Sequence, residues 1–438
     1  MKVALINSRD DLAGCNIRHQ IEQCLSEDPS HALCEERSYD FFEVSGRLIH
    51  AAGVDADIDA DLVIFLSRHS SVNPVPVLTV HATGNFGAAE LGGSPHSLAP
   101  AAPAMMQATL RALSQHFPQG YRVSYEVTHH GPTELYHPSF FVEIGSTEKE
   151  WVDPVAGRAV AEAVLDATPL DAIPLIGIGG THYAPRETAI ALSTRGAFGH
   201  IASSLRQVAL LDKDMVEAMI VQSGAIAAFI DRKAVSRPDL ERLTTILDSL
   251  NIPRLSEHEI TALDNLSWDT YNAIRDLAGG VCPGSRCFVH GLDGSGSLTV
   301  ISPDLTLFTE AKRCDEPALI SGLGHLSLVH LTDENNVLLP YFIVFCKDSS
   351  ELINALNTLC VKIIRNRENT ATENDCLVIR KIRFDPEKAR KLGVPAGPAY
   401  RQLATGQAVE LDGRVISPDQ VSVVSETRIH IPGLENYS

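Results

Sequence analysis

The sequence predicts a three-layer α/β domain built on a mixed or mostly parallel sheet, followed by an α+β part. Three observations carry this expectation. Apolar runs of strand length, such as Leu62–Leu66 and Val77–Val80, are nearly continuous, as strands covered on both faces must be. Segments with helical periodicity alternate with them, and turn-forming residues punctuate the junctions.

Taken in order, Val3–Ile6 opens as a strand and Asn16–Leu25 follows as a helix. In Pro103–Phe117, Met106, Leu110, Leu113 and Phe117 form one helical stripe. Ser124–Thr128 and Phe140–Ile144 read as strands, Arg158–Ala167 as a helix and Pro174–Ile178 as a short strand. Val216–Val221 and Ala227–Ile230 are apolar without a clear period. Pro238–Leu250 is a helix bounded by Arg237-Pro238 and Pro253. A boundary is expected near Leu255-Ser256-Glu257, which gives domains 1–255 and 256–438. Beyond it come a helical stretch to Leu277, Gly279-Gly280, a Gly/Ser-rich stretch from Gly291 to Ser297, strands at Leu298–Ile301 and Leu339–Phe345, and a helix at Ser350–Ile364.

Composition narrows the function. The 438 residues are 44% hydrophobic and 21% charged, so the chain can bury a core and is not a disordered polymer. No apolar run approaches a membrane span, and the opening Met1–Ile6 lacks a secretory pattern. Nine cysteines without a C-x-x-C pair argue against both a disulfide framework and a zinc knuckle; Cys282 and Cys287 come nearest. A cytoplasmic, membrane-free protein is expected. The net charge of −19 disfavours a protein that grips a duplex, DNA included. An enzyme reading only an RNA end needs few phosphate contacts, so the charge leaves that class open.

Five segments combine glycines with histidines or carboxylates at strand ends: Val80–Gly87, Glu126–Glu134, Phe140–Ser146, Gly177–Tyr183 and Phe198–His200. Strand ends are where loops of an α/β sheet converge on ligands. If Ser124–His130 is extended, His129 shares a face with Tyr125 and Val127, and His130 shares one with Glu126 and Thr128. Adjacent histidines then do not easily hold one metal; one serves as ligand or acid/base and the other supports the packing. Gly131-Pro132 ends the strand and could fold Glu134 back toward either histidine. Glu143 stands opposite the apolar face of Phe140, Val142 and Ile144, where a carboxylate is costly unless paired or metal-bound.

Imidazoles with carboxylates suit zinc, so His81, His130, Glu143, His182 and His200 are the candidate ligands. His129, His130 and Glu134 are the candidate catalytic groups; a histidine acting as general base without metal is an equal possibility. Taken singly, His81 or His200 is more simply a hydrogen-bonded core residue. Asn85, Phe86, Gly179, Gly180 and Tyr183 are candidate substrate contacts, with backbone N–H groups near Gly179-Gly180 as oxyanion donors. Gly177-Ile-Gly-Gly180 is neither a dinucleotide fingerprint nor a P-loop, and no G-x-S-x-G nucleophile elbow occurs.

At these segments the chain resembles the archaeal and plant-type D-aminoacyl-tRNA deacylases. The residues that carry the resemblance are His81-Ala-Thr-Gly-Asn-Phe86, Thr128-His-His-Gly-Pro132, Pro138–Ser146 with Trp151, Gly177–Tyr183 and Gly199-His200, in order from Met1 to about Leu255. The resemblance implies a phosphorylase/peptidyl-tRNA hydrolase-like fold and hydrolysis of the ester joining a D-amino acid to the tRNA 3′ end. It also implies zinc, two ions per chain, and a monomer acting on D-aminoacyl-tRNA. A peptidyl-tRNA or nucleoside hydrolase on the same fold and a non-catalytic tRNA-binding protein are the rivals. Asp385–Pro398 through Gly406, with Leu411–Ile416, is similar to a segment of tRNase Z, although that enzyme's H-x-H-x-D-H signature is missing. Either a packing module or a tRNA-contacting module is expected there.

Overall fold

The protein is described here as a computed structural model covering residues 1–28, 37–204, 206–292 and 296–437. The chain divides into two compact units, Met1–Asp264 and Asn265–Ser438. The division falls past Leu255 because the helix Glu257–Ala262 belongs to the first unit. Its Ile260 is buried against Gly196, and Glu257 lies 2.7 Å from Arg186.

Among the described residues the first unit is mixed α/β, with two main sheets rather than one and a two-stranded ribbon, Gly84–Asn85 with Ser97–Leu98. The larger has six strands in the order Ser38–Val44, Lys2–Ser8, Leu62–Arg68, Ser139–Gly145, Val77–His81 and Arg122–Tyr125. Its pairings are parallel except that of Val77–His81 with Ser139–Gly145. The smaller sheet is all parallel, in the order Gly196–Ala202, Ile173–Ile178, Ala227–Ile230 and Arg254–Leu255. Helix Pro103–His116 packs against strands of both. Its buried Gln107 anchors it, donating from Nε2 to the carbonyls of Ala191, Thr194 and Gly196 at 2.8–3.1 Å. Helix Leu12–Glu27 begins where Asp11 accepts from the N–H groups of Ala13 and Gly14, and it packs on helix Pro154–Asp166. The apolar stretch Val216–Val221 lies in helix Lys213–Ser223, and Ala227–Ile230 is a buried strand.

Register determines where polar chemistry meets the larger sheet. Cross-strand partners share a face, so Ile6, Phe65, Phe141 and His81 form one row. The next row on that face contains Ser67, Glu143 and Thr79. One end of the face is therefore apolar, where Ala4, Ile6, Val63, Phe65 and Phe141 pack with Leu48. Its other end is polar. Glu143 stands in the middle of a strand inside the sheet, not at a strand end.

The second unit is α+β. A four-stranded antiparallel sheet runs Arg286–His290, Leu328–Thr332, Leu338–Phe345 and Leu298–Ile301. Helices Leu305–Leu323 and Ser349–Arg367 pack together, and the first is kinked at Asp315, two residues before Pro317. Gly279 and Gly280 fall inside helix Trp268–Val281. Of the Gly/Ser stretch Gly291–Ser297, residues 293–295 lie outside the described residues. Strands Asn369–Glu373, Cys376–Phe384 and Ser422–His430 form an antiparallel sheet. Between the last two lies a small module with helices Pro386–Lys391 and Pro398–Ala404 and a hairpin Val409–Leu411/Arg414–Ile416. Its core is Ala389, Val394, Leu403, Val409, Ile416 and Val421. Among the described residues no helix is long and apolar enough to cross a membrane.

Candidate active site

Five histidines and two carboxylates meet on the polar end of the sheet face. His81 ends strand Val77–His81 and stacks on Phe141, 5.4 Å between ring centres. Glu143 projects from the neighbouring strand. His69 directly follows strand Leu62–Arg68, Glu126 to His130 follow Arg122–Tyr125, and His182 follows Ile173–Ile178. A ring nitrogen each from His81, His129 and His130 lie within 4.8 Å of one another; so do donor atoms of His69, Glu126 and His182, and of His81, Glu126 and Glu143.

The extended reading of Ser124–His130 is corrected. The strand stops at Tyr125, Val127 N–H turns to the carbonyl of His182, and His130 adopts φ of 49°. This bend brings the rings of His129 and His130 within 4.4 Å, both beside His81 at 4.5 and 5.0 Å. Adjacent histidines therefore reach one point, which a period-two strand forbids.

Hydrogen bonding fixes the tautomers. Nδ1 of His129 lies 2.8 Å from the carbonyl of Val127, that of His130 2.7 Å from Gly131 O, and that of His81 3.1 Å from Ala82 O. A carbonyl only accepts, so each Nδ1 carries a proton, and in the neutral ring each Nε2 presents a lone pair. Burial disfavours the charge of His81, but Glu143 raises its pKa above the ordinary imidazole value. His81 Nε2 is buried without a hydrogen-bond partner, 3.7 Å from Glu143. Burial, with the charges of His130 and His81, holds His129 well below the ordinary imidazole range, and burial beside His81 pushes His130 down to about 4. Both are neutral at pH 7.

Glu126 is fully buried. His182 Nε2 and His69 Nδ1 lie 2.9 and 3.0 Å from its oxygens but out of hydrogen-bond alignment, so both oxygens lack a hydrogen-bonded donor. Burial disfavours its charge, yet His182 and His69 hold it well below the usual carboxylate range. Glu143 is likewise disfavoured by burial but held to about 2 by His69 and His81. For His69, burial opposes charge, but Glu126 and Glu143 push its pKa up to about 11. Its Nε2 reaches the hydroxyl of Tyr183 at 3.0 Å.

Several expected site residues lie elsewhere for identifiable reasons. His200 has both nitrogens engaged, Nδ1 with Thr128 Oγ1 at 3.1 Å and Nε2 with Ala99 O at 2.9 Å, and it is no part of the cluster. Glu134 accepts from the hydroxyl of Ser94, a bond that lowers its pKa, and it does not fold back to the histidines. Asn85 donates to the carbonyls of Gly92 and Ser94 at 2.8 and 3.1 Å, pinning a loop, and Phe86 is core. Gly179 gives its N–H to Ala202 O, so it is not a free oxyanion donor. Gly180 has φ of 80° and flanks buried Glu187. His69 and Glu126 were missed. Both follow apolar strands immediately, the signal that selected the other segments.

The cluster borders a cavity of about 290 Å³, lined also by Asp10, Asp11, Arg47, Ser67 and Arg68. The fold and this site define an α/β protein with a buried histidine–carboxylate centre open to solvent on one side. A sequence model of D-aminoacyl-tRNA deacylases matches residues 56–255. A D-aminoacyl-tRNA deacylase of Methanoregula boonei is 72% identical over all of both chains, and that of Methanoculleus marisnigri 49% identical over all of both. A crystal structure of a conserved protein of unknown function, 32% identical, superposes with a TM-score of 0.54 over 60% of this chain and 96% of its own. The chain belongs to the D-aminoacyl-tRNA deacylase family.

Proposed function

We propose that the protein hydrolyses D-aminoacyl-tRNA to a free D-amino acid and tRNA, at a zinc centre held by the histidine–carboxylate cluster. The activity follows from family membership. The zinc reading is supported by one observation, a ring nitrogen each from His81, His129 and His130 within 4.8 Å of one another with every Nδ1 tied to a carbonyl. His129 and His130, held neutral and anchored through Nδ1, are imidazoles of the kind zinc binds, and a bound cation would displace the proton that Glu143 favours on His81. The unsatisfied oxygens of buried Glu126 fit the same reading, since a cation relieves them. His81, His129 and His130 would hold one ion and His69, Glu126 and His182 a second, with Glu143 beside both. When bound, the metal supplies Lewis acidity and a low-pKa water.

The chain's own groups do the rest. His130, near 4, is too weak a base to drive proton removal by itself at neutral pH, which favours a ligand role over the general-base alternative. His182, 44% exposed, faces the side from which an ester enters. The aminoacyl ester carbonyl is attacked by water, the tetrahedral intermediate collapses, and the ribose oxygen leaves with a proton. Substrate contact centres on the 3′ end in the cytoplasm, and the first unit is read as phosphorylase/peptidyl-tRNA hydrolase-like. The module within 385–421 is read as a tRNA contact.

Release of D-tyrosine from D-Tyr-tRNA, with L-Tyr-tRNA and a peptidyl-tRNA as controls, tests the activity. D-selective turnover is expected. Equal turnover of the L-ester or preference for the peptidyl substrate would overturn it. Metal analysis before and after chelation tests the zinc; full activity in metal-free protein would remove that part alone.

A further inference from the structure

The cavity has a second chemical end. Beyond the histidines it is lined by Arg47 and Arg68, in a chain whose net charge is −19. Neither guanidinium has an ion pair among the described residues, although Asp10 and Asp11 line the same cavity. Those carboxylates are already engaged: Asp10 accepts from Gly46 N–H at 2.7 Å, and Asp11 accepts from the N–H groups of Ala13, Gly14 and Arg68 and from Ser67 Oγ.

Arg68 is held through its side chain, and Arg47 only through its backbone turn. The turn carrying Arg47 is pinned on two sides, because Gly46 O also accepts from Ser8 Oγ at 2.5 Å, and Leu48 beyond it is buried in the sheet-face core. The Arg68 guanidinium lies 5.1 Å over the Trp151 ring, and Trp151 Nε1 donates to His69 O at 2.9 Å. One tryptophan thus fixes Arg68 and the backbone of a cluster histidine together. A preorganised Arg68 guanidinium and an exposed Arg47 on a pinned turn, neither in an ion pair among the described residues, make a recognition device beside an ester-hydrolysing centre for an anion attached to the ester. Size selects which anion. About 290 Å³ is at the small end of ligand pockets, roughly 300 Å³ and up. It takes the aminoacyl ester and its ribose and leaves the backbone phosphates at the mouth, where Arg47 is exposed.

We propose that Arg47 and Arg68 are positioning residues that clamp the phosphodiester groups next to the 3′-terminal nucleoside, so that the ester is registered over the histidine–carboxylate cluster. This rests on the deacylase reading above. It predicts which part of the substrate each arginine senses.

The test compares D-Tyr-tRNA with 3′-O-D-tyrosyladenosine, which carries the same ester without a phosphate, using the full-length chain and its R47Q, R68Q and R68K variants. For R47Q and R68Q, kcat/KM on the tRNA ester should fall at least about tenfold more than on the adenosine ester. The dependence of log kcat/KM on log salt should flatten by about 0.7 per lost phosphate contact, the value for single strands. R68K keeps the charge and should keep the salt slope even if it loses the Trp151 stacking. Equal losses on both esters, or an unchanged salt slope in R47Q and R68Q, would overturn the clamp. Wild-type protein inactive on both esters would instead overturn the deacylase reading.

Discussion

Glu187 shows how much one side chain's surroundings decide. It lies in helix Pro185–Ser193, fully buried, with neither oxygen hydrogen-bonded and Asp231 nearby. Burial pushes its pKa from the ordinary 4.5 up to about 7. The folded state therefore holds a proton that the unfolded chain releases between these values, and stability falls as pH rises from 4.5 through 7. Glu187→Gln should remove that slope and raise stability at pH 8 by about 3 kcal/mol, since each pKa unit is worth about 1.4 kcal/mol. Urea unfolding at pH 5 and pH 8 measures it; parallel profiles for both proteins would contradict the assignment. A second pair of substitutions separates packing from chemistry. His200→Gln should lower stability by roughly 1–3 kcal/mol, through its buried hydrogen bonds to Thr128 and Ala99, while metal content persists. On the zinc reading, His81→Asn should instead lose metal and at least about 100-fold in turnover. The sequence treats these two histidines alike, each following an apolar stretch near a glycine. Only their partners distinguish them.

Among elements, strand Ser139–Gly145 was legible as apolar alternation, and so was its out-of-pattern Glu143. The Glu126–His130 segment was not. Its residues continue a strand-like run, and the bend at His130 depends on a turn packed against a distant loop: a Cβ on Gly131 would lie 2.4 Å from Gly93 N and 2.5 Å from Ile49 O. Long-range crowding of this kind leaves no local periodicity to read. Gly145 plays the matching part for His69, since a Cβ there would lie 2.7 Å from the imidazole Cδ2 and 2.8 Å from the His69 Cβ. Gly145→Ala should shift His69 off Glu126 and Glu143 and reduce kcat roughly 10- to 100-fold, as sub-ångström misplacement does. Steady-state kinetics beside a thermal melt checks it. A kcat within twofold of wild type would mean that His69 has no part in the reaction.

At the scale of the whole molecule, each unit has its own core, the second built from Leu307, Phe342, Leu356, Ile364 and Ile429 among others. A chain ending at Asp264 should therefore fold and, on the zinc reading, bind metal as the full chain does. On the reading of the 385–421 module as a tRNA contact, it should lose several-fold in affinity for D-Tyr-tRNA and keep its turnover of the adenosine ester. Undiminished tRNA affinity would return that module to a packing role. The sequence by itself determined the α/β class, most of the strands and helices in order, and the segments that hold most of the reactive side chains, because burial on two faces and turn chemistry are local properties. Tertiary structure alone decided that the strands divide into two sheets, that the centre lies on a sheet face, and that His69 and Glu126 join it while His200 and Glu134 do not. Those outcomes depend on register and on partners far apart along the chain, and one residue of slip would turn every side chain to the opposite face.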